Sequence, residues 1–209
     1  MGMKAWYDDH VMPRVITAAC GQEGIEKRRR QIVPLARGRV FEIGCGGGLN
    51  QALYDADAVT SFSGIDPHAK LLDGARNRAR AKGWNVDIRQ GVGEDIPFPD
   101  GSFDTVVCTY TLCSVDEPTS VLSELRRILA QNGRLLFLEH GRAPDAAVAR
   151  WQEWIEPVWK PLAGGCHLTR PIGSALRAAG FAVEPLGQAY LEKAPKVMGW
   201  MEWGVARKA

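Results

Sequence analysis

The sequence predicts an α/β fold: a doubly wound, seven-stranded sheet flanked by helices, with five parallel strands and a C-terminal antiparallel hairpin. Between residues 38 and 140, apolar runs typical of strands alternate with segments of helical periodicity. Such alternation implies parallel strands joined by right-handed crossovers. Two further apolar runs end the chain, and we expect them to close one edge of the sheet as a hairpin.

The predicted elements follow one another regularly. Residues 38–43 (GRVFEI) alternate toward an apolar run, and they precede a glycine turn and a segment, 49–55, that is predicted to be helical. The other parallel strands are predicted over 61–65, 85–90, 103–109 and 133–139, and the hairpin strands over 181–186 and 200–206. The other helices are predicted over 69–82, 119–129, 146–157 and 172–179.

The length and the composition indicate one globular domain. A chain of 209 residues is long enough for one well-buried α/β domain and too short for two ordinary ones. Its hydrophobic share of 45% and charged share of 24% are typical of a protein that folds in water. The net charge is only +2, so we do not expect nucleic acid as a partner. The basic run 27–30 (KRRR) is interpreted as the solvated face of an N-terminal helix.

The sequence shows no sign of export or of a membrane-spanning segment. Residues 1–9 (MGMKAWYDD) lack the apolar core of a signal peptide. No stretch approaches the ~18 apolar residues of a transmembrane helix. The five cysteines form an odd number without a C-x-x-C pair, which disfavours disulfides and a metal site. We expect a cytoplasmic protein with reduced thiols, no metal and no integral membrane segment; a monomer and a homodimer both stay open.

The glycine turn after the first strand gives the first functional signal. Residues 42–48 (EIGCGGG) place glycines two apart at the carboxyl end of a strand, where missing Cβ atoms let a ligand approach the backbone. Asp66 ends the next predicted strand, where a doubly wound fold positions a carboxylate for ribose hydroxyls. The turn is not G-x-G-x-x-G and has no pyrophosphate spacing, so a nicotinamide dinucleotide is disfavoured.

These motifs resemble those of the class I S-adenosylmethionine-dependent methyltransferases, which have a Rossmann-like fold. Residues 42–48 resemble the first motif of that family and residues 64–67 (GIDP) its ribose-binding corner. Residues 91–104 (GVGEDIPFPDGSFD) are similar to the segment that borders the adenine, and 124–136 (ELRRILAQNGRLL) to the helix and turn before the fifth strand. The resemblance covers roughly residues 25–140 and implies S-adenosyl-L-methionine as the cofactor.

The resemblance also implies which residues bind the cofactor. They are Glu42, Gly44, Cys45, Gly46, Gly48, Asp66, Pro67, Gly93, Glu94, Thr109, Tyr110 and Tyr7. The sequence departs from the family at Val92, where an Asp usually contacts the adenine amino group, so that contact passes to Glu94, Asp95 or the backbone. Residues 6–14 are expected either to fold over the cofactor as a lid, with Tyr7 at its methionine end, or to pack as an ordinary terminal helix.

A narrower resemblance extends into the last third of the chain. Residues 107–115 (VCTYTLCSV), the pair Glu139-His140, Trp159 and residues 165–170 (GCHLTR) are similar to the methyltransferase-like 7 group of thiol S-methyltransferases and its bacterial relatives. This resemblance implies a small, apolar acceptor, with a thiol favoured. It also divides the single domain 1–209 into an N-terminal helical lid (1–36), a cofactor-binding core (37–140) and an acceptor-facing cap with the closing hairpin (141–209).

Methyl transfer from a sulfonium is an in-line displacement by the acceptor. A thiol acceptor with a pKa of ~8.5 is partly ionised at neutral pH, so its methylation needs no obligatory base. A phenol, amine or carbon acceptor depends more on a base, for which His140 is the candidate; a structural histidine is the alternative. Predicted acceptor-binding residues are Tyr7, His140, Trp159, His167 and Arg170. Arg170 is equally a candidate to clamp a carboxylate or a helix end.

Two alternative functions stay open, and a third is not expected. One is a quinone or aminophospholipid acceptor, for which the Trp-rich helix 146–157 would make peripheral contact with a membrane surface. Another is a cofactor-binding protein without catalysis, hinted at by Val92. A trivalent arsenic acceptor would need Cys45, Cys113 and Cys166 to converge, which we do not expect, and Cys166 is interpreted as a small buried hydrophobe.

Overall fold

The computed structural model describes residues 22–209 and contains one seven-stranded sheet. The strands are β1 (Gly38–Ile43), β2 (Val59–Asp66), β3 (Asn85–Gln90), β4 (Phe103–Thr109), β5 (Leu129–His140), β6 (Phe181–Tyr190) and β7 (Trp200–Lys208). The helices are α1 (Glu23–Ile32), α2 (Ala69–Arg80), α3 (Pro118–Ile128), α4 (Ala146–Leu162), α5 (Ile172–Ala178) and α6 (Lys196–Gly199), and a 3₁₀ turn covers Val33–Leu35.

The strand order is β3-β2-β1-β4-β5-β7-β6. Strand β1 pairs in parallel with β2 and β4, which pair in parallel with β3 and β5. Strand β7 is antiparallel to both β5 and β6, so the hairpin closes that side of the sheet. The predicted fold is confirmed. From β1 the chain adds β2 and β3 on one side of the sheet, and then β4 and β5 on the other side. At this reversal, between β1 and β4, a crevice opens at the carboxyl ends of the strands.

Each face of the sheet has its own apolar core. Neighbouring residues of a strand point to opposite faces, and in β1 Val40 packs in one cluster with Phe62 while Phe41 packs in another with Leu125. All four side chains are fully buried. A central parallel strand is expected to be covered on both sides in this way. The two cores hold β1 in place, and with it the glycine turn that follows Ile43.

The predicted helix over residues 49–55 does not form, and the segment consists of turns instead. Asn50 and Tyr54 both direct their side chains to Glu42 at the end of β1. Further along, the Asp57 N–H donates to Asp55 Oδ1 at 3.1 Å. Side-chain bonds of this kind compete with the backbone pattern of a helix. The prediction was wrong because tertiary hydrogen bonds decide this conformation.

Helix α4 continues to Leu162, beyond the predicted end at residue 157. Pro157 and Pro161 lie inside it, and both are exposed, so the carbonyl groups they leave without a donor lie on the solvent side. Strand β5 begins at Leu129 directly after α3, four residues earlier than predicted. No helix within residues 22–209 is long and apolar enough to span a bilayer.

Candidate functional site

A cavity of about 810 Å³ lies at the carboxyl ends of the parallel strands. Its walls come from the turns that follow β1, β2, β3 and β4, from the last residue of β5, and from α1. The end of α4 with the loop after it, and the segment after β6 with α6, complete them. This volume lies within the range of ~300–1,000 Å³ that is usual for small-molecule sites. The cavity occupies the crevice that the strand order predicts.

The glycine turn after β1 forms the floor of one end of the cavity. Gly44, Gly46 and Gly48 have φ values of 66°, 48° and 87°, a backbone region that residues other than glycine rarely adopt. A Cβ on Gly44 would lie 2.2 Å from Thr111 Oγ1, whereas the atom nearest to a Cβ on Gly46 is Asp66 Oδ2 at 3.9 Å. The backbone is therefore tightly packed at Gly44 and open toward the cavity at Gly46.

Asp66 ends β2 beside this turn and is almost fully buried. Its Oδ2 accepts a 2.9 Å hydrogen bond from the Gly46 N–H, and its Oδ1 accepts one of 2.8 Å from the His68 N–H. These bonds fix the orientation of the carboxylate, and each oxygen keeps further acceptor capacity. A fixed carboxylate on the cavity wall is suited to a pair of vicinal hydroxyl groups.

A buried network around Glu42 forms the floor below the turn. The Tyr54 hydroxyl donates to Glu42 Oε2 at 2.7 Å, and Asn50 Nδ2 donates to Glu42 Oε1 at 2.9 Å and to Thr109 Oγ1 at 3.0 Å. Burial raises the pKa of Glu42 to about 7, although the bonds from Tyr54 and Asn50 favour its ionised form. The network ties the ends of β1 and β4 together.

Asn50 is a site residue that the sequence analysis missed. It lines the cavity, and its Oδ1 is buried without a hydrogen-bond partner in the protein. Buried acceptors without partners are rare in folded proteins and favour a ligand that donates. The available signal in the sequence was the position of an Asn two residues after the glycine turn.

Arg29 corrects the interpretation of the basic run 27–30. Its side chain is not solvated: the residue is 5% exposed and lines the cavity. The guanidinium carbon lies 5.2 Å from the centre of the Tyr110 ring, a cation–π distance. Tyr110 has a φ of 57°, which is uncommon for a residue with a side chain and typical of functional sites. Helix α1 therefore brings a positive charge to the site.

His140, the predicted base, ends β5 and lines the cavity. Its ring packs edge-on against that of Tyr110, with 5.8 Å between the ring centres. Burial lowers the pKa of His140 to about 4. The imidazole is therefore neutral at pH 7 and is a weak base.

The neighbouring Glu139 shapes the opposite end of the cavity. It is fully buried, and it accepts hydrogen bonds from the backbone N–H groups of Thr111 at 2.9 Å and Cys113 at 3.1 Å. The Cys108 thiol donates to the same carboxylate at 3.3 Å. Burial raises the pKa of Glu139, against these hydrogen bonds. Glu139 thus holds the loop after β4, a role that the sequence analysis did not assign.

Two of the predicted acceptor-binding residues have other partners. His167 Nδ1 lies 2.8 Å from Glu156 Oε1, and this contact joins α4 to the loop that follows it. Arg170 donates to the carbonyl oxygens of Leu112 and Val115 in the loop after β4. Of the two roles considered for Arg170, the structure gives it a clamp, although on backbone carbonyls instead of a carboxylate or helix end.

The structure gathers most of the predicted residues around one cavity. It is lined by Glu42, Gly44, Cys45, Gly46, Asp66, Pro67, Gly93, Glu94, Thr109, Tyr110, His140 and Trp159. Gly48, His167 and Arg170 are not among the lining residues, and Tyr7 and the segment 6–14 lie outside the described residues. In the described part of the chain, no three His, Cys, Asp or Glu side chains are placed to hold a metal ion.

Comparisons with known proteins give the cavity its class. Residues 41–137 match the family described as Methyltransferase domain. The human thiol S-methyltransferase TMT1B is 32% identical over 194 residues, which cover 86% of this chain and 76% of that protein. A phosphatidylethanolamine N-methyltransferase of Cereibacter sphaeroides is 32% identical over 133 residues, or 61% of this chain and 64% of that one. The crystal structure of YcgJ from Bacillus subtilis superimposes with a TM-score of 0.66 at 19% identity, covering 89% and 98% of the two chains.

The chain belongs to the class I S-adenosylmethionine-dependent methyltransferases. It is an enzyme of that class, and S-adenosylmethionine is its cofactor. Within the class it is similar to the thiol S-methyltransferases over most of its length. The residues present fit the cofactor: Gly46 leaves the backbone open, Asp66 offers a fixed carboxylate, and Asn50 Oδ1 is a buried acceptor without a partner.

Proposed function

We propose that the protein transfers the methyl group of S-adenosylmethionine to the thiol of a small, apolar acceptor. The cofactor supplies a methyl group on a sulfonium, which is electrophilic without activation by the protein. The observation that carries the proposal is the chemistry of the acceptor end of the cavity. Its walls include Val115, Leu162, Cys166, Leu191 and Met198, which offer apolar and sulfur surface.

The weak basicity of His140 supports a thiol over other acceptors. With a pKa of about 4, the imidazole is too weak a base to take a proton efficiently from a phenol or a protonated amine at neutral pH. A thiol is partly ionised in water without help. We therefore assign His140 to the wall that contacts the acceptor, where its neutral ring excludes water.

Four parts of the cavity would hold the cofactor. Asp66 would bind the ribose hydroxyl groups, and the backbone around Gly46 would border the centre of the cofactor. Asn50 Oδ1 would accept from the ammonium group of the methionine end, and the Arg29 guanidinium would attract its carboxylate. Gly93 and Glu94 border the adenine, beside the half-exposed Val92. The supporting facts are the hydrogen bonds and the burial described above.

A radiolabelled-methyl screen across thiols, phenols, amines and lipids tests the proposal. We expect an alkyl or aryl thiol to be the preferred acceptor, with an S-methyl product. Across a series of thiols, the pH at which kcat/KM rises should follow the pKa of each thiol, because the protein supplies no strong base. A pH profile that stays the same for all thiols, or a preference for amines or phenols, would overturn the proposal.

A lipid-like acceptor is the second candidate, and an exposed apolar ridge on α4 favours it. Trp151, Trp154, Val158 and Leu162 are 60%, 74%, 64% and 60% exposed and follow one another at helical spacing. Arg150 and Lys160 are exposed on the same helix, so an anionic lipid surface suits the ridge. Leu162 also lines the cavity, which connects the ridge with the acceptor end.

Vesicle binding separates the two candidates. If the acceptor is a lipid, the protein should sediment with vesicles containing phosphatidylglycerol and should methylate phosphatidylethanolamine or a quinone in them. The double variant Trp151→Ser, Trp154→Ser should lose both properties, while Leu186→Ser, an exposed apolar residue on β6, should keep them. Absence of sedimentation would eliminate this candidate.

A further inference from the structure

Two cysteines from separate loops lie side by side at the acceptor end of the cavity. Cys113 belongs to the loop after β4 and Cys166 to the loop after α4, and both line the cavity. The His167 N–H donates to the Cys113 carbonyl oxygen at 2.7 Å, which holds the two loops together. The side chains of Cys113 and Cys166 also interact with each other. The two sulfur atoms are therefore neighbours on the cavity wall.

The surroundings treat the two sulfur atoms differently. The interaction with Cys113 lowers the pKa of Cys166, against the effect of burial, whereas the same interaction and burial raise the pKa of Cys113. The positive charge of Arg170 lies close to both, and the carboxylate of Glu139 bonds to the backbone of Cys113 on its other side. Cys166 is thus the better nucleophile and Cys113 the protonated partner.

The other buried cysteines have different surroundings. Cys108 does not line the cavity and donates its thiol to Glu139 at 3.3 Å. Cys45 lies in the glycine turn, where its sulfur packs against Gly64 on β2. The three cysteines considered for arsenic therefore do not converge, but two of them form a pair.

We infer that Cys166 and Cys113 form a thiol–disulfide exchange site whose ligand is a low-molecular-weight disulfide. The ligand is the oxidised form of the thiol acceptor, and in that respect the inference rests on the proposed function. Both cysteines line one cavity wall, and the bond from the His167 N–H to the Cys113 carbonyl oxygen holds their loops together, so the pair is placed to form a disulfide with an S–S bond of about 2.05 Å. The cavity gives the ligand access to both.

The exchange proceeds in two steps. The Cys166 thiolate attacks one sulfur of the ligand, so that a Cys166–ligand disulfide forms, the ligand's S–S bond breaks, and one thiolate leaves and takes up a proton. The Cys113 thiol loses its proton and attacks the sulfur of Cys166, which releases the second thiolate and leaves a Cys113–Cys166 disulfide. The ligand gains two electrons, the cysteine pair loses two, and an external dithiol restores the pair. Each cycle delivers two molecules of thiol at the acceptor site.

Mass spectrometry of the intact chain tests the inference. The full-length protein carries Cys20→Ser, so that Cys45, Cys108, Cys113 and Cys166 are its only cysteines. It is reduced and then incubated with 2-hydroxyethyl disulfide without cofactor. We expect the protein to lose two hydrogen atoms with no adduct, and peptide mapping to find a Cys113–Cys166 disulfide. Adding Cys113→Ser should trap the mixed disulfide on Cys166, because the resolving thiol is missing. Adding Cys166→Ser should slow the reaction about tenfold or more.

Cys108→Ser in the same background is the matched control and should react like its parent. A cofactor-induced rise in Tm shows that each variant is folded. Equal rates for Cys166→Ser and its parent, or an adduct that maps to Cys45 or Cys108, would overturn the inference. Because the exchange is measured without methyl transfer, a protein that exchanges disulfides but methylates no thiol would overturn the proposed function alone.

Discussion

Among the single side chains of the site, Asp66 carries the sharpest expectation. Both of its oxygens are fixed by backbone N–H groups, of Gly46 and His68, so the carboxylate has one orientation, in which we propose that it binds the ribose. Charged hydrogen bonds are worth roughly 1.5–3 kcal/mol each, so Asp66→Asn should raise the Kd for S-adenosylmethionine at least about tenfold. Isothermal titration calorimetry measures this change.

Asp87→Asn is the matched control for this substitution. Asp87 lies on the neighbouring strand β3 and pairs with Arg89 at 2.6 Å, away from the cavity lining. Its loss should leave the Kd for the cofactor within about twofold, since exposed ion pairs contribute at most ~1 kcal/mol to stability. Equal Kd values for Asp66→Asn and the parent protein would remove Asp66 from the cofactor site.

Glu42 should make the stability of the protein fall as the pH rises. Its pKa is about 7 in the folded chain and 4.5 for an ordinary glutamate, so between these values the folded state binds more protons than the unfolded state. The free energy of unfolding therefore decreases from about pH 4.5 to about pH 7, by on the order of 3 kcal/mol from this group. Urea unfolding across this pH range should show the decrease in the parent protein and a flatter profile in Glu42→Gln. Parallel profiles would show that Glu42 titrates normally.

Arg29 and Asn50 are site residues that a local sequence pattern cannot place. The pattern assigns Asp66 and the turn around Gly46 because both follow directly from the ends of predicted strands. Arg29 comes from a helix outside the sheet, and its burial depends on how α1 packs over Tyr110. Asn50 is positioned by bonds to Glu42 and Thr109. Such contacts link distant parts of the chain, and local periodicity carries no record of them.

Among the turns and helices, the glycine turn after β1 should tolerate substitution least. Gly44 combines a φ of 66° with a Cβ position 2.2 Å from Thr111 Oγ1, so Gly44→Ala meets both backbone strain and a clash. Gly83 has a similar φ of 79° but open space around its Cβ position. We expect Gly83→Ala to cost about 1–2 kcal/mol in the free energy of unfolding and Gly44→Ala clearly more.

Urea unfolding of the two variants, with cofactor titrations of each, separates strain from the clash. Gly83→Ala should keep the parent's Kd for S-adenosylmethionine, because residue 83 lies outside the cavity lining. Gly44→Ala should bind more weakly, since relief of the clash must move either the turn or the loop after β4. Equal losses of stability in both variants would mean that the packing around Gly44 relaxes freely.

The balance between local propensity and tertiary contacts explains which helices and strands could be predicted from the sequence. Strands β1, β3 and β4 have the predicted bounds. Strands β1 and β4 contain apolar runs that end in turns, whereas β3 (NVDIRQ) shows only an alternation of apolar and polar residues. Residues 49–55 contain good helix formers, yet side-chain bonds to Glu42 hold them in turns. Helix α4 passes through two prolines that a local rule places at helix ends, because both lie on its exposed side. Local propensity decides where tertiary contacts are few.

For the whole molecule, the order of strands and helices was enough to predict the fold and that a ligand binds at the carboxyl ends of the parallel strands. The acceptor end could not be predicted in the same way. It is built from loops after β4, α4 and β6, whose contacts are set by Glu139, Glu156 and Arg170 instead of by periodicity. The structure shows His167 beside Glu156 and Arg170 on the carbonyl oxygens of Leu112 and Val115, and these contacts join parts of the chain that a local pattern does not connect.

Cofactor binding should stabilise the complete chain by mass action. A ligand that binds only the folded state at a hundred times its Kd adds about 2.7 kcal/mol to the free energy of unfolding. For a chain of this size that corresponds to a rise in Tm of roughly 5–10 °C. Differential scanning fluorimetry with S-adenosylmethionine should show this rise for the parent protein and a smaller one for Asp66→Asn at the same concentration. Methyl transfer without any rise in Tm at a saturating concentration would contradict the cavity as the cofactor site, because a ligand held among residues from four turns of one sheet must favour the folded state.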